Sequence, residues 1–132
     1  MNHQLRYLQL WLIIGLLLVG AVIYFSLAPV PQQLQIEFQL ADKVEHTLAY
    51  SILMLWFGQL TLIKARLVSA LLLILLGVAL EFLQEMTAYR QFDIFDMAAN
   101  TIGVLLGLYL SSYCFNNSFE KTEQLINKRY QD

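Results

Sequence analysis

Apolar residues gather into four runs along the chain, at residues 7–28, 44–63, 67–86 and 94–115, separated by short polar breaks. Each run is about 20 residues long, which at a helical rise of about 1.5 Å per residue covers the roughly 30 Å hydrocarbon core of a bilayer. Within the third, Leu71-Leu72-Leu73-Ile74-Leu75-Leu76 is apolar on every side, whereas a helix of a soluble domain keeps a polar stripe. The pattern predicts a single all-α domain over residues 1–132. Its expected form is an integral membrane four-helix antiparallel bundle, with residues 116–132 as a tail.

The breaks between runs differ in kind. Lys64-Ala65-Arg66 leaves room only for a tight turn, so the second and third helices are expected to be antiparallel neighbours. The first connection is longer, carries Pro29 and Pro31, and places Leu34, Ile36, Phe38 and Leu40 at every second position. That alternation suits a short strand or an extended segment on the bilayer surface, with a flexible crossover as the plainer alternative. In the tail, Asn117-x-x-Glu120 has the spacing of a helix-capping box, and Phe119, Leu125, Ile126 and Tyr130 give a weak apolar face. A short helix resting on the membrane is expected there. Arg6 and Ser26-Leu27-Ala28 flank the first run as a signal peptide's ends would. However, the run is longer than a usual signal core and Pro29 follows at once, so it is expected to remain as a span.

Composition removes the competing classes. Of the 132 residues, 58% are hydrophobic and only 14% charged, with mean hydropathy +0.57, which is too apolar for a disordered chain or an ordinary soluble domain. The formal charge of −2 provides no basic surface for nucleic acid, and a lone cysteine, Cys114, supports neither an internal disulfide nor a thiolate cluster. Arg6, Lys64, Arg66, Lys121, Lys128 and Arg129 fall on one side of the four spans, and only Lys43 and Arg90 on the other, so both termini are expected in the cytoplasm. The sequon Asn116-Asn117-Ser118 then lies on the side where it carries no meaning.

The acids divide the opposite way, and candidate chemistry collects at the outer side. On the fourth helix Asp93, Asp96, Asn100, Gly103, Gly107 and Ser111 fall on one narrow stripe at 100° per residue. Gly103-x-x-x-Gly107 within it suits close helix packing. Asp42 and His46 share a face of the second helix with Tyr50 beside them, while Gly77, Glu81, Gln84 and Glu85 share a face of the third. Capping of helix N-termini explains part of this set, since Asp42, Glu45 and Asp93 sit where the dipole favours negative charge. Glu81 is different. It lies near the C-terminal end of its helix and within the hydrocarbon span, where an unpaired acid costs at least roughly 2–3 kcal/mol. Arg90, Lys43, His46 or a bound cation are the candidates to meet it. Trp11 and Trp56 read as packing or lipid-facing groups rather than a cofactor box.

Taken in order, Asp42-Lys43-x-x-His46-x-x-x-Tyr50, then Glu81-x-x-Gln84, then Arg90-x-x-Asp93-x-x-Asp96-x-x-x-Asn100-x-x-Gly103 resembles the VanZ-like family of small bacterial membrane proteins. The resemblance runs from about Asp42 to Gly107. It implies a multi-pass protein of the bacterial cytoplasmic membrane, in a family whose namesake is associated with low-level resistance to the glycopeptide teicoplanin.

Two readings of function follow. In one, an outward-facing polar site recognises or modifies an envelope lipid headgroup or a lipid-linked cell-wall precursor. Asp42, His46, Glu81, Asp93 and Asp96 would then be acid/base or cation-ligating groups, with Lys43, Tyr50, Gln84, Arg90 and Asn100 binding. Carboxylates with one imidazole suit Mg²⁺, Mn²⁺ or Zn²⁺, and so acidic a lining would repel an anionic headgroup unless a cation bridged the two. In the other, the same residues form a structural interhelical network in a non-enzymatic scaffold or partner-binding protein. No serine or cysteine is placed beside a base at the outer side, which favours the second.

Overall fold

A computed structural model describes residues 5–29, 39–87 and 92–129. Among them the chain is helical: α1 (Leu8–Leu27), α2 (Gln39–Leu60), α3 (Arg66–Glu85), α4 (Ile94–Tyr109) and α5 (Ser118–Arg129). A 3₁₀ turn at Ile63–Ala65 joins α2 to α3, and a π-helical turn at Leu110–Cys114 extends α4. The alternating segment Leu34, Ile36 and Phe38 lies outside the described residues, as does Arg90; Leu40 falls in the first turn of α2.

Among the described residues, three helical stretches are long and apolar enough to cross a membrane: Leu8–Leu27, Ile63–Glu85 and Ile94–Cys114. Four such stretches were expected. α2, with 22 residues, has the length, but Asp42, Lys43, Glu45 and His46 crowd its first two turns and Gln59 sits near its end. The reason lies in its position, because α2 packs against α1, α3 and α4 alike. Most of its polar groups face protein, while Glu45 and a stripe of Val44, Leu48 and Ile52 are exposed.

The core forms where these helices meet. Tyr50, Leu53 and Met54 of α2 pack with Ala70 and Leu73 of α3 and Val104 of α4, and Leu18, Val19 and Val22 of α1 close the side. α3 buries Ala70, Leu73, Gly77, Leu80, Glu81 and Gln84 along one stripe. Its other side exposes Leu67, Leu71, Leu75 and Phe82, and α1 exposes Leu10, Leu16, Leu17 and Phe25. A continuous apolar exterior of this kind is a surface made for lipid.

α2 and α4 are the closest pair. A Cβ on Gly103 would collide with the Thr47 carbonyl, and one on Gly107 with the Ser51 carbonyl. At that distance side chains reach across to backbone: the Thr47 hydroxyl donates to the Ala99 carbonyl at 3.3 Å and Ser51 to the Gly103 carbonyl at 3.0 Å. The small-residue stripe read from the sequence is this seam.

At the opposite end of the bundle the tail does more than rest on a surface. Asn117 takes a left-handed φ of 60°, and the N–H of Ser118 donates to Gln59 Oε1 of α2 at 3.0 Å. Phe119 stacks on Trp11 at 4.3 Å and meets Trp56 edge-on at 4.8 Å, so both tryptophans pack. Leu125, expected on the apolar face, is instead 68% exposed. The Glu123 carboxylate accepts the backbone N–H groups of Arg6 and Tyr7 at 2.7 and 3.0 Å and the Trp11 indole N–H at 2.7 Å. These are donors that the start of α1 would otherwise leave unpaired. Arg66, counted in the sequence as a loop cation, is buried. It donates to the Ser111 carbonyl at 2.9 Å, satisfying the π-turn, and to Asn116 at 3.0 Å.

Candidate functional site

Most of the described residues expected to gather do so at the end of the bundle where α2 and α4 begin. Lys43 is the hub: its ammonium lies 2.7 Å from Asp93 Oδ2 and 2.6 Å from Asp96 Oδ1, tying α2 to the start of α4. Asp93 is the N-cap of α4 and accepts the Phe95 N–H at 2.8 Å. Its carboxyl is held below the usual carboxylate range by the Lys43 hydrogen bond, against the opposing effect of burial.

Glu81 is 1% exposed and does not face lipid. Among the described residues, none of the side chains expected to meet it forms its hydrogen bond. Instead Glu81 Oε1 accepts the backbone N–H of Asp93 at 2.6 Å, which anchors the α3 end to the α4 start. Lys43 is spent on the two aspartates and Arg90 lies outside the described residues. Glu81 Oε2 has no partner, and the carboxylate lies close enough to Asp96, His46 and Asp93 to interact with their charges. Four other buried side-chain atoms are also unpartnered among the described residues; the Tyr50 hydroxyl and Asn100 Oδ1 belong to this end, and Gln59 Nε2 and Arg66 Nε to the other. Gly77 makes the room for Tyr50 and Asn100, since a Cβ there would stand 3.1 Å from Asn100 and 3.3 Å from the Tyr50 ring.

His46 is largely enclosed, its side chain 11% exposed. Its Nε2 stands 3.9 Å from Asp42 Oδ2, one turn earlier on α2, and 3.9 Å from Asp96 Oδ2 on α4. Both separations exceed hydrogen-bonding distance. Asp42, His46 and Asp96 each offer one ligand atom within a set whose members lie no more than 4.8 Å apart.

Two expected members stand apart from this cluster. Gln84 is buried but donates to the Ser26 carbonyl of α1 at 2.8 Å, so it tethers helices. Glu85, placed on the Glu81 face by angle, is exposed.

Beside the cluster runs a groove of about 350 Å³ between α1 and α2. Leu18, Ala21, Val22 and Phe25 of α1 and Ala49, Ile52 and Leu53 of α2 make it apolar along its length, while Asp42, Glu45 and His46 make one end acidic. The sequence reading placed the polar set on α2, α3 and α4 and missed the contribution of α1. Nothing in an evenly apolar helix marks the face that will line a groove.

The geometry defines a small helical membrane protein with a polar cluster at one end and a largely apolar groove beside it. No family model matches the sequence, and no solved structure matches it. The chain is 31% identical over 126 residues to an uncharacterized protein of Schizosaccharomyces pombe, an alignment that covers 92% of this chain and 73% of the yeast one. The chain belongs to the family of that yeast protein.

Proposed function

We propose that the protein is a VanZ-like four-helix antiparallel membrane bundle with both termini in the cytoplasm, and that it recognises a membrane lipid headgroup at the polar end of the α1/α2 groove. The observation that carries this reading is the groove's two-part chemistry. An apolar channel receives an acyl chain, and Asp42, Glu45 and His46 at its end meet the polar portion. Recognition is better supported than covalent chemistry, because the Ser51 hydroxyl is engaged with the Gly103 carbonyl and Cys114 lies at the far end of α4. A family with a fungal member favours a headgroup not confined to bacteria, with a lipid-linked wall precursor in a bacterial cytoplasmic membrane as its narrower form.

Ala21→Trp tests this reading, since Ala21 lines the groove from an exposed position on α1. The variant should fold, but should lose lipid that co-purifies with the parent chain and is detected by native mass spectrometry. Equal lipid occupancy in both proteins would refute the groove.

A structural network is the second reading, favoured by the Lys43 link to Asp93 and Asp96 and by the Glu81 bond to Asp93. His46 separates the two. It makes no hydrogen bond to either neighbouring carboxylate, so a network complete without it predicts that His46→Ala leaves both folding and bound lipid intact. The lipid site predicts intact folding with altered lipid.

A further inference from the structure

We infer that Asp42, His46 and Asp96 bind one divalent transition-metal cation, for which zinc fits best, at the acidic end of the α1/α2 groove. Asp42 and His46 are four residues apart on α2, so the helix itself fixes their separation. Asp96 arrives from the first turn of α4, and Lys43 occupies its Oδ1, leaving Oδ2 toward the imidazole.

The spacing is that of groups around a shared centre rather than of groups bonded to each other. A histidine paired with a carboxylate closes to about 2.7–3.0 Å. Here His46 Nε2 stands at 3.9 Å from both carboxylates. Three ligand atoms no more than 4.8 Å from one another fit within about 2.8 Å of a common point. Zinc bonds nitrogen and carboxylate oxygen at about 2.0–2.2 Å, so a contraction of at most about 0.7 Å per ligand completes the site. One imidazole with two carboxylates leaves a coordination position open, and the groove runs beside it.

A second observation points the same way. Tyr50, one turn beyond His46, lines the same groove at 1% exposure with its hydroxyl unpartnered. Behind it the 1% exposed Glu81 keeps Oε2 unpartnered within electrostatic reach of His46 and Asp96. Buried polar atoms are ordinarily satisfied. A hydrated cation in the triad supplies donors at that spot and adds to the positive charge that, among the described residues, Lys43 brings to these acids. Resting on the lipid reading above, the open position would take a phosphate oxygen of a headgroup, which the surrounding carboxylates would otherwise repel.

The test is calorimetric titration of Zn²⁺ into the chelator-stripped full chain in lipid-free detergent. It is done in the Cys114→Ser background, so that the exposed thiol does not compete. One Zn²⁺ per chain is expected. Loss of even a supporting group around a metal costs about 10–100-fold in affinity, so Asp42→Asn and His46→Gln should each weaken binding by at least about tenfold while far-ultraviolet dichroism stays unchanged. Absence of saturable binding, or affinity retained in His46→Gln, overturns the site. Retention of phosphatidylglycerol through detergent washing, measured with Zn²⁺ and with EDTA, separates the two proposals. Zinc bound with no lipid retained under either condition upholds the metal site and removes the lipid reading. Lipid retained equally in EDTA, with no zinc bound, does the reverse.

Discussion

Lys43 is the side chain on which most of the polar end depends. Replacing it by Met would leave Asp93 and Asp96 side by side without their shared cation, and Asp96 is nearly buried. The expected cost is about 1–3 kcal/mol, the range for stranding a charged hydrogen-bonding group, and it would be read as a lower unfolding temperature in detergent. Acid should act through the same pair. The folded Asp93 carboxyl sits below its ordinary value, so its contribution is complete above about pH 4 and is lost as pH falls through the depressed value. The stability gap between the parent chain and Lys43→Met should therefore narrow on acidification below about pH 4; a gap that widens would contradict this assignment. Glu81 shows what sequence can reveal about a residue and what it cannot. Its position near a helix C-terminus in an apolar run marked it as a group that must be met, because that penalty is local. Its partner, a backbone N–H across the α3–α4 connection, was hidden because every residue carries one.

Helical periodicity made the α2/α4 seam legible. Fixed angular steps place Asp93, Asp96, Asn100, Gly103, Gly107 and Ser111 on one stripe; the last five are buried in the structure and Asp93 is half-buried. The seam should be intolerant of bulk. Gly103→Leu drives a side chain into the Thr47 carbonyl and should abolish a monodisperse folded peak in size-exclusion chromatography. Gly20 in α1 is the contrast, with nothing within 4 Å of the place a Cβ would occupy; Gly20→Ala should be neutral or stabilise by up to about 1 kcal/mol. Periodicity says nothing about the π-turn at Leu110–Cys114 or the burial of Arg66. Both depend on a guanidinium from α3 meeting a carbonyl of α4, 45 positions away in the chain. A basic residue in a tight turn reads as a loop charge until the fold shows that a backbone acceptor needs it.

For the molecule as a whole, three stretches carry the membrane signal and α2 takes shelter among them. This explains why four runs were visible in the sequence while only three are apolar enough by composition. If the proposed orientation holds, a membrane-impermeant maleimide should label the exposed Cys114 in inside-out vesicles and not in right-side-out ones. Labelling from the opposite face would invert the topology and put the groove mouth in the cytoplasm.

The Glu123 clasp joins the start of α1 to α5, with its partners Arg6 and Tyr7 more than 110 positions upstream. α1 leaves the ribosome well before α5, so these amide donors meet the carboxylate only after the intervening helices have been made. Cutting the chain between α4 and α5 removes that partner, which makes α5 a late seal on the start of α1.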